Sequence, residues 1–553
     1  MAEAVLGGLM LGVAFVIFRS GLGLTFYYDE WNFVLGRGGW NVDTFLVPHN
    51  EHLLLVPVVV FKLLFVTVGL DSYWAYRLVP LGLHLLCVAL LFVYVRRRRG
   101  ERIAVVASVP VLCLGAGAAW HALLVPLNLG FLAAVAAGLG ALLVLERGDR
   151  RGDAAACILL ILGLASSSAG ITFAAAALVE ILSLRWRRLW VFAVPAGLYG
   201  IWFLEYGNPD AVSGAKGNLA DLLRSNLPDA PGYFFNAAAA AFGGLVGLSP
   251  DWGRLLAVLA GIALAVKVAR ATPFSTRSVG LLAAATTYWG LMALFRAHLY
   301  APADSRYLYF GGILIVLLTV ELMPPIRPSR GVLAAATVVL AGIAVSSSSL
   351  LHDGSRFLQS WSRFLRAELV ALEVAGPTTD PGYHPDEFRA PGIAAGPYFA
   401  AVSDWGSPAF AAEDVERLAE AERQEADAVL VEALGISVQQ LANAAPGGPR
   451  PAVNAAIGGT VGFRSRCVTF VPKIFEASIE VTVPAAGIVF TGTGALVEVG
   501  VRSFAGDYSE ASMGSAESGS PHAVRIPSRP GRTWHIRLST SAPLTACGLR
   551  GKA

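Results

Sequence analysis

Residues 77–99 read RLVPLGLHLLCVALLFVYVRRRR, an apolar run without a charge between Arg77 and Arg96 that ends in four consecutive arginines. Such a run approaches the roughly 20 residues needed to cross the hydrocarbon core of a bilayer, and arginines gather on the cytoplasmic side. The stretch therefore predicts a membrane helix whose C-terminal end lies inside. Similar uncharged runs recur from the N-terminus to about residue 350 and then stop. Across the 553 residues, 55% are apolar and 15% charged, with a mean hydropathy of +0.60, whereas a soluble domain carries about 25% charge. The surplus apolar surface needs a lipid solvent, which excludes a soluble globular enzyme and a disordered chain. The net charge of +3 comes with no basic stripe interleaved with aromatics, so nucleic acid is set aside as a partner.

Working outward, about eleven spans of near-bilayer length are predicted, near residues 4–18, 77–95, 103–120, 129–145, 154–165, 170–184, 189–204, 254–269, 278–295, 308–323 and 331–350. The first could pass for a signal peptide. It lacks a basic leading region and a clear small-residue cleavage site before Phe26-Tyr27-Tyr28, so it reads as a retained helix. Five short basic loops set the orientation: Arg96 to Arg99 with Arg102; Arg147, Arg150 and Arg151; Arg185, Arg187 and Arg188; Lys267, Arg270 and Arg277; and Arg327 with Arg330. Placing them all inside puts residues 19–76, 121–128, 166–168, 205–254, 296–306 and everything after 350 outside. A crossing at 233–248 would break this alternation, so that segment is expected to be interfacial or re-entrant. The chain is thus expected to be an integral protein of a bacterial plasma membrane, the bacterial source resting only on the Ala-, Val- and Arg-rich residue usage.

After residue 350 charged residues, Pro and Gly return. Three regions are expected: a transmembrane domain over 1–350, a helical extracytoplasmic region over 351–450, and a β-sandwich over 451–553. Residues 356–374 and 413–442 have helical spacing, whereas 461–472, 478–490, 495–504, 523–526 and 534–538 are short alternating runs between turn residues. Cys87, Cys113 and Cys157 fall in apolar helices, while Cys467 and Cys547 bracket the strand-rich region. An external pair can oxidise, so Cys467–Cys547 is an expected disulfide, two free thiols being the alternative. Neither spacing nor neighbouring histidines indicates a metal site, and no cofactor is expected, a divalent cation staying open.

The most informative outer loop follows the first helix, reading Tyr27-Tyr28-Asp29-Glu30-Trp31 and continuing to Pro48-His49-Asn50-Glu51-His52. A carboxylate beside aromatics at the hydrocarbon edge is partly desolvated, which raises its pKa and suits it to general-base work. Acids and aromatics also populate the interface belt without any chemistry. The apolar run from His52 through Lys62 to Leu70 is expected along the membrane surface, and Trp74-Ala75-Tyr76-Arg77-Leu78 then leads into the second helix.

This order (first helix, Asp-Glu, His-containing loop, surface helices, Arg-Leu, basic stop) resembles the GT-C superfamily of glycosyltransferases. The likeness is greatest to the protein mannosyltransferase and aminoarabinose transferase type, and it covers residues 1–350. It implies an enzyme that takes a sugar from a polyprenyl-phosphate carrier on the outer side and transfers it, with inversion, to a glycan, lipid or protein acceptor. By the same resemblance Asp29 would be the base and Glu30 its neighbour in the acidic pair. His49, Asn50, Glu51 and His52 stand where protein mannosyltransferases show a His-Pro-Pro type segment, and are candidates for holding donor or acceptor sugar.

A phosphate leaving group needs little acid help, so the site must activate an acceptor hydroxyl and hold developing phosphate charge. Arg306, with Tyr307, in Ala303-Asp304-Ser305-Arg306-Tyr307 is the leading phosphate candidate, with Arg296 and His298 on the same loop. An anchoring Arg-Tyr pair is the structural alternative. Lys62 and Arg77 are further phosphate candidates that could simply snorkel. His84 reads as a packing residue, and His121 and Asn128 as flanks of an outer turn. A transporter or flippase of lipid-linked sugar is the competing function. Against it, the acids crowd one face and no internal repeat is visible. A sensory protein anchored by its helices is a third reading. The strand-rich region loosely resembles the carbohydrate-binding modules of mycobacterial arabinosyltransferases, which implies a glycan acceptor.

Overall fold

The computed structural model describes residues 2–184, 186–207, 219–324, 328–442, 446–484, 486–508, 514–527 and 532–550. Arg185 and Arg327 of the basic loops lie outside them, as does part of the 205–254 segment. The chain divides into two compact units, Met1–Gln359 and Ser360–Ala553.

The first unit is helical, and eight helices among the described residues are long and apolar enough to cross a membrane. They are Ala2–Ser20, Tyr73–Arg99, Pro126–Leu145, Trp186–Tyr206, Pro250–Ala269, Thr276–Leu299, Ser305–Leu322 and Arg330–Ala375. The expected spans at 103–120, 154–165 and 170–184 correspond to helices Glu101–Gly115, Arg150–Ser166 and Gly170–Leu184, of 15, 17 and 15 residues. At ~1.5 Å per residue these fall short of the ~30 Å hydrocarbon core.

Helix Leu129–Leu145 is apolar nearly all round and buried nearly all round, as expected of a helix at the centre of a bundle. Helix Pro250–Ala269 instead turns Leu255, Val258, Leu259, Ile262 and Val266 outward, and Ala2–Ser20 does the same with Leu9, Leu11 and Phe15. Apolar side chains in this density on the outer surface require something other than water against them. Residues 233–248, expected at the interface, form most of helix Ala230–Leu245, and its Ala237–Ala241 stretch is buried. Small side chains allow that burial. A Cβ at Gly253 of the neighbouring helix would lie 2.0 Å from the Ala239 carbonyl oxygen, so the two backbones touch.

In the second unit, the strands are β1 (Val438–Gln440), β2 (Ala452–Ile457), β3 (Gly459–Arg464), β4 (Cys467–Pro472), β5 (Ala477–Thr482), β6 (Gly487–Gly492), β7 (Val497–Arg502), β8 (Gly514–Ala516), β9 (His522–Arg525), β10 (His535–Thr540) and β11 (Leu544–Gly548). They form a six-stranded sheet in the order β1-β9-β6-β11-β4-β3 and a five-stranded sheet in the order β2-β5-β10-β7-β8. Alternation decides which side chains go inward: in β10 Ile536 and Leu538 are buried while Arg537 between them is not. Val468, Phe470 and Phe490 of one sheet share a single core with Ile479, Val499 and Leu538 of the other. Ala367, Val370, Ala371, Val429 and Leu430 enter the same core, and residues from Ser360 onward belong to the same compact unit as the strands. Cys467 and Cys547 are direct cross-strand partners on β4 and β11 and are joined by a disulfide.

Candidate functional site

The loop after the first helix is held by a cluster of aromatic rings. Phe26 is fully buried, with the rings of Trp31, Tyr73 and Tyr76 edge-on at 5.7, 4.9 and 5.0 Å. Beneath it sits Glu30, also fully buried. One of its carboxylate oxygens accepts the backbone N–H of Tyr27 and the Tyr73 hydroxyl, both at 2.7 Å, and the other accepts the N–H of Leu127 at 3.1 Å. Burial raises the Glu30 carboxyl to about 7, against the pull of these donors and with the Asp29 charge adding to the rise. Both oxygens are committed to tying the loop to two other segments, a structural duty.

Asp29, its neighbour, has a different environment. It is part-exposed at the start of helix Glu30–Gly36 and its side chain caps nothing. Its charge acts on Tyr27, His49 and Arg306. The expected acidic pair is thus split into a buried strut and a part-exposed carboxylate.

The segment Pro48–His52 folds into a two-residue hairpin turn, with His49 N–H donating to the His52 carbonyl at 3.1 Å and His52 N–H to the His49 carbonyl at 3.0 Å. Asn50 takes the left-handed conformation the turn requires, at φ 52°, which Asn tolerates better than most residues. Tyr28, beside Asp29, is also left-handed at φ 41°, as is Tyr300, in the loop after Arg296, at φ 52°. A bulky side chain there stores strain, and such strain concentrates at functional sites.

From 245 residues further along the chain, Arg296 ends helix Thr276–Arg296 and pairs with Glu51, both side chains largely buried. The Arg296 guanidinium also lies 3.4 Å from His52 Nε2. Burial draws the His52 ring down to about 4, Glu51 opposing and Arg296, His49 and Arg306 reinforcing, so it is neutral at pH 7. Among the described residues, Glu51 Oε2, His52 Nδ1, His49 Nε2 and His298 Nε2 are buried without a hydrogen-bond partner. Four orphaned polar atoms in adjoining loops are more than a settled structure usually keeps.

Arg306 grips Asp304 through its Nε and a terminal nitrogen, both 2.9 Å from Oδ2, and lies over the Tyr307 ring at 5.2 Å. Asp304 in turn caps helix Ser305–Leu322 through the Arg306 N–H at 3.1 Å. Burial works against the Asp304 charge, but Arg306 outweighs it and holds the carboxyl below its ordinary value. His121 is pulled down to about 4 by burial, with Arg306 adding and Asp304 opposing. Its ring stands edge-on to Tyr27 at 5.6 Å, and Asn128 donates to its carbonyl at 3.0 Å. Residues from near positions 29, 50, 121 and 300 therefore converge on one region.

Beside them opens a cavity of about 480 Å³. Its walls are apolar, with Phe131, Leu164, Phe192, Phe203 and Phe295 contributed by four helices. Asn50, Glu51, His52, Arg296 and Tyr307 form a polar rim, whereas Asp29, Glu30 and Arg306 do not line it. An apolar chamber with one polar end suits a ligand with a long hydrocarbon part and a charged or polar head.

The remaining phosphate candidates have other partners. Arg77 donates to the Ile17 and Phe18 carbonyls at 3.0 and 3.3 Å, closing the end of the first helix. A Cβ at Gly21 would overlap its guanidinium, so a larger residue there would make the arginine shift. Lys62 donates to the Gly38 and Gly39 carbonyls and lies over the Trp40 ring at 4.6 Å. Among the cations named in advance, only Arg296 lines the cavity. His84 is buried and hydrogen-bonded to the Tyr309 hydroxyl at 2.8 Å, in a packing position. Sequence reasoning missed Arg37, which donates to the Thr44 and Val47 carbonyls at 2.7 and 2.8 Å and shapes the loop ahead of the hairpin turn. Only its isolation as a cation in that loop could have signalled it. No protein-family model matches the chain, and no curated protein matches it.

Proposed function

We propose that the chain is a GT-C type membrane glycosyltransferase that moves a sugar, with inversion, from a polyprenyl-phosphate donor to a glycan, lipid or protein acceptor. The single observation that carries this reading is the apolar cavity ending in the Arg296 rim, alongside the loop that presents Asp29. The prenyl chain would occupy the cavity and its phosphate would meet Arg296. Asp29, part-exposed and capping no helix, would take the proton from the acceptor hydroxyl as that oxygen attacks the sugar's anomeric carbon. The bond from that carbon to the phosphate oxygen breaks, and its electron pair stays on the phosphate. Glu30 would hold the Asp29 loop in place rather than exchange protons.

The sequence-derived orientation supports an outer active site in a bacterial plasma membrane, with about eleven crossings if the short helices also traverse the bilayer. The shared core of the two sheets supports reading the second unit as an extracytoplasmic β-sandwich. Its five-stranded sheet carries Asn454, Glu480, Arg502 and His535 in one hydrogen-bonded patch, a polar face suited to a glycan. The same apolar cavity also favours a second reading, transport of a lipid-linked sugar. Purified protein given a radiolabelled synthetic polyprenyl-phosphate sugar and a mixed envelope-glycan acceptor tests both. Transfer of label supports the enzyme, whereas transbilayer movement of the lipid without transfer supports the transporter.

A further inference from the structure

Among the described residues, Arg296 and Glu51 are the only fully charged side chains lining the cavity. They hold each other through Glu51 Oε1, while Glu51 Oε2 is buried without a hydrogen-bond partner. A phosphate that reaches Arg296 therefore arrives beside a carboxylate. This matters because the proposed reaction changes the charge of the lipid. The donor is a phosphodiester with one negative charge, and the product is a phosphate monoester whose second ionisation lies near 6, so it carries close to two at pH 8. A lone arginine would hold the product more tightly than the donor, and turnover would stall on release.

We propose that Glu51 is a specificity-determining residue, a tethered counter-anion that cancels the preference of Arg296 for the more highly charged lipid and so keeps the monoester product from outcompeting the diester donor. The inference rests on the cavity being a lipid-phosphate site. With Glu51 present, each added charge on the phosphate is attracted by Arg296 and repelled by Glu51 from similar range, and the two nearly offset. Without it, the repulsion is lost and the balance moves toward the more highly charged lipid.

The test compares undecaprenyl phosphate with undecaprenyl methyl phosphate, a sugar-free pair differing in one charge, binding to the full-length protein in nanodiscs at pH 8 and low salt. The parent should bind the two within about threefold of each other, and Glu51→Gln should shift the ratio toward the monoester by about tenfold or more. Glu51→Ala, which also removes the charge, should shift it in the same direction and serves if the glutamine variant does not fold. Glu51→Asp should keep the parent ratio. A neutral variant that still binds both lipids in the parent ratio overturns the counter-anion role and leaves the cavity assignment standing. If the parent binds neither lipid, or Arg296→Ala binds both as tightly as the parent, the cavity assignment falls and the inference falls with it.

Discussion

Glu51 and Arg296, 245 residues apart in sequence, meet as an ion pair at the polar rim of the apolar cavity. Breaking one side of a buried pair leaves the other charge uncompensated, at a cost of about 3–5 kcal/mol. Arg296→Ala is therefore expected to lower the thermal midpoint of the membrane unit and to abolish lipid-phosphate binding. The double variant Glu51→Gln/Arg296→Met should recover much of the stability but none of the binding. Thermal unfolding in detergent and a lipid-binding isotherm on the same samples check both, and a double variant that regained binding would remove Arg296 from the site.

Asp29 and Glu30 are expected to respond in opposite ways. Asp29→Asn keeps the shape but cannot accept a proton, so sugar transfer should fall by roughly 100-fold or more while donor binding persists. Steady-state transfer rates and donor affinity measured together check this. A folded Asp29→Asn protein that transfers sugar near the parent rate would end the proposed mechanism.

Glu30→Gln should instead reduce stability, because an amide NH2 would replace one of two oxygens that accept hydrogen bonds, at a cost of about 1–3 kcal/mol. The pH dependence has a definite sign. With its folded pKa raised to about 7 above the unfolded value of about 4.3, Glu30 contributes stability that is fully present below the unfolded value. That contribution declines as pH rises to about 7, by on the order of 3 kcal/mol. The stability gap between parent and Glu30→Gln should therefore be wider at pH 4.5 than at pH 8, as followed by thermal unfolding across that range. A gap that widens with pH would contradict the buried strut.

The Cys467–Cys547 disulfide closes a loop across 80 residues, and in the chain-entropy model such a link contributes about 4 to 5 kcal/mol. Reduction, or Cys467→Ser with Cys547→Ser, should destabilise the second unit and leave the helices inserted. Mass spectrometry of the unreduced protein should find this pair linked, with alkylation confined to Cys87, Cys113 and Cys157 after unfolding.

Topology is testable without a substrate. A reporter fused at Ala553, which lies outside the described residues, should read as extracytoplasmic, and a cysteine placed at Arg98 should be shielded from an impermeant thiol reagent in intact cells. A cytoplasmic reading at Ala553 would overturn the basic-loop orientation.

What the sequence alone determined is what composition and period encode locally. The uncharged runs ending in basic loops marked long apolar helices, because crossing hydrocarbon demands an unbroken apolar stretch of sufficient length. The return of charge after residue 350 marked a second domain, and alternation in stretches such as 534–538 marked strands. Cys467 and Cys547 stood apart from the three cysteines of the apolar helices by position alone.

Which side chain meets which was decided only by the tertiary structure. Asp29 and Glu30 are adjacent and chemically alike, yet one is part-exposed and the other is surrounded by donors from Tyr73 and Leu127. Arg77 and Lys62 were legible as cations but not as cations committed to backbone carbonyls. Arg306 stood out from its local motif, whereas Arg296 lines the cavity and pairs there with Glu51, 245 residues earlier in the chain. Desolvation and ion pairing depend on neighbours in space, and neighbours hundreds of residues away leave no periodic trace in one sequence. Helix burial follows the same division: loop parity made residues 233–248 interfacial or re-entrant, and close backbone contact through Gly253 and the Ala237–Ala241 run buries them in the bundle.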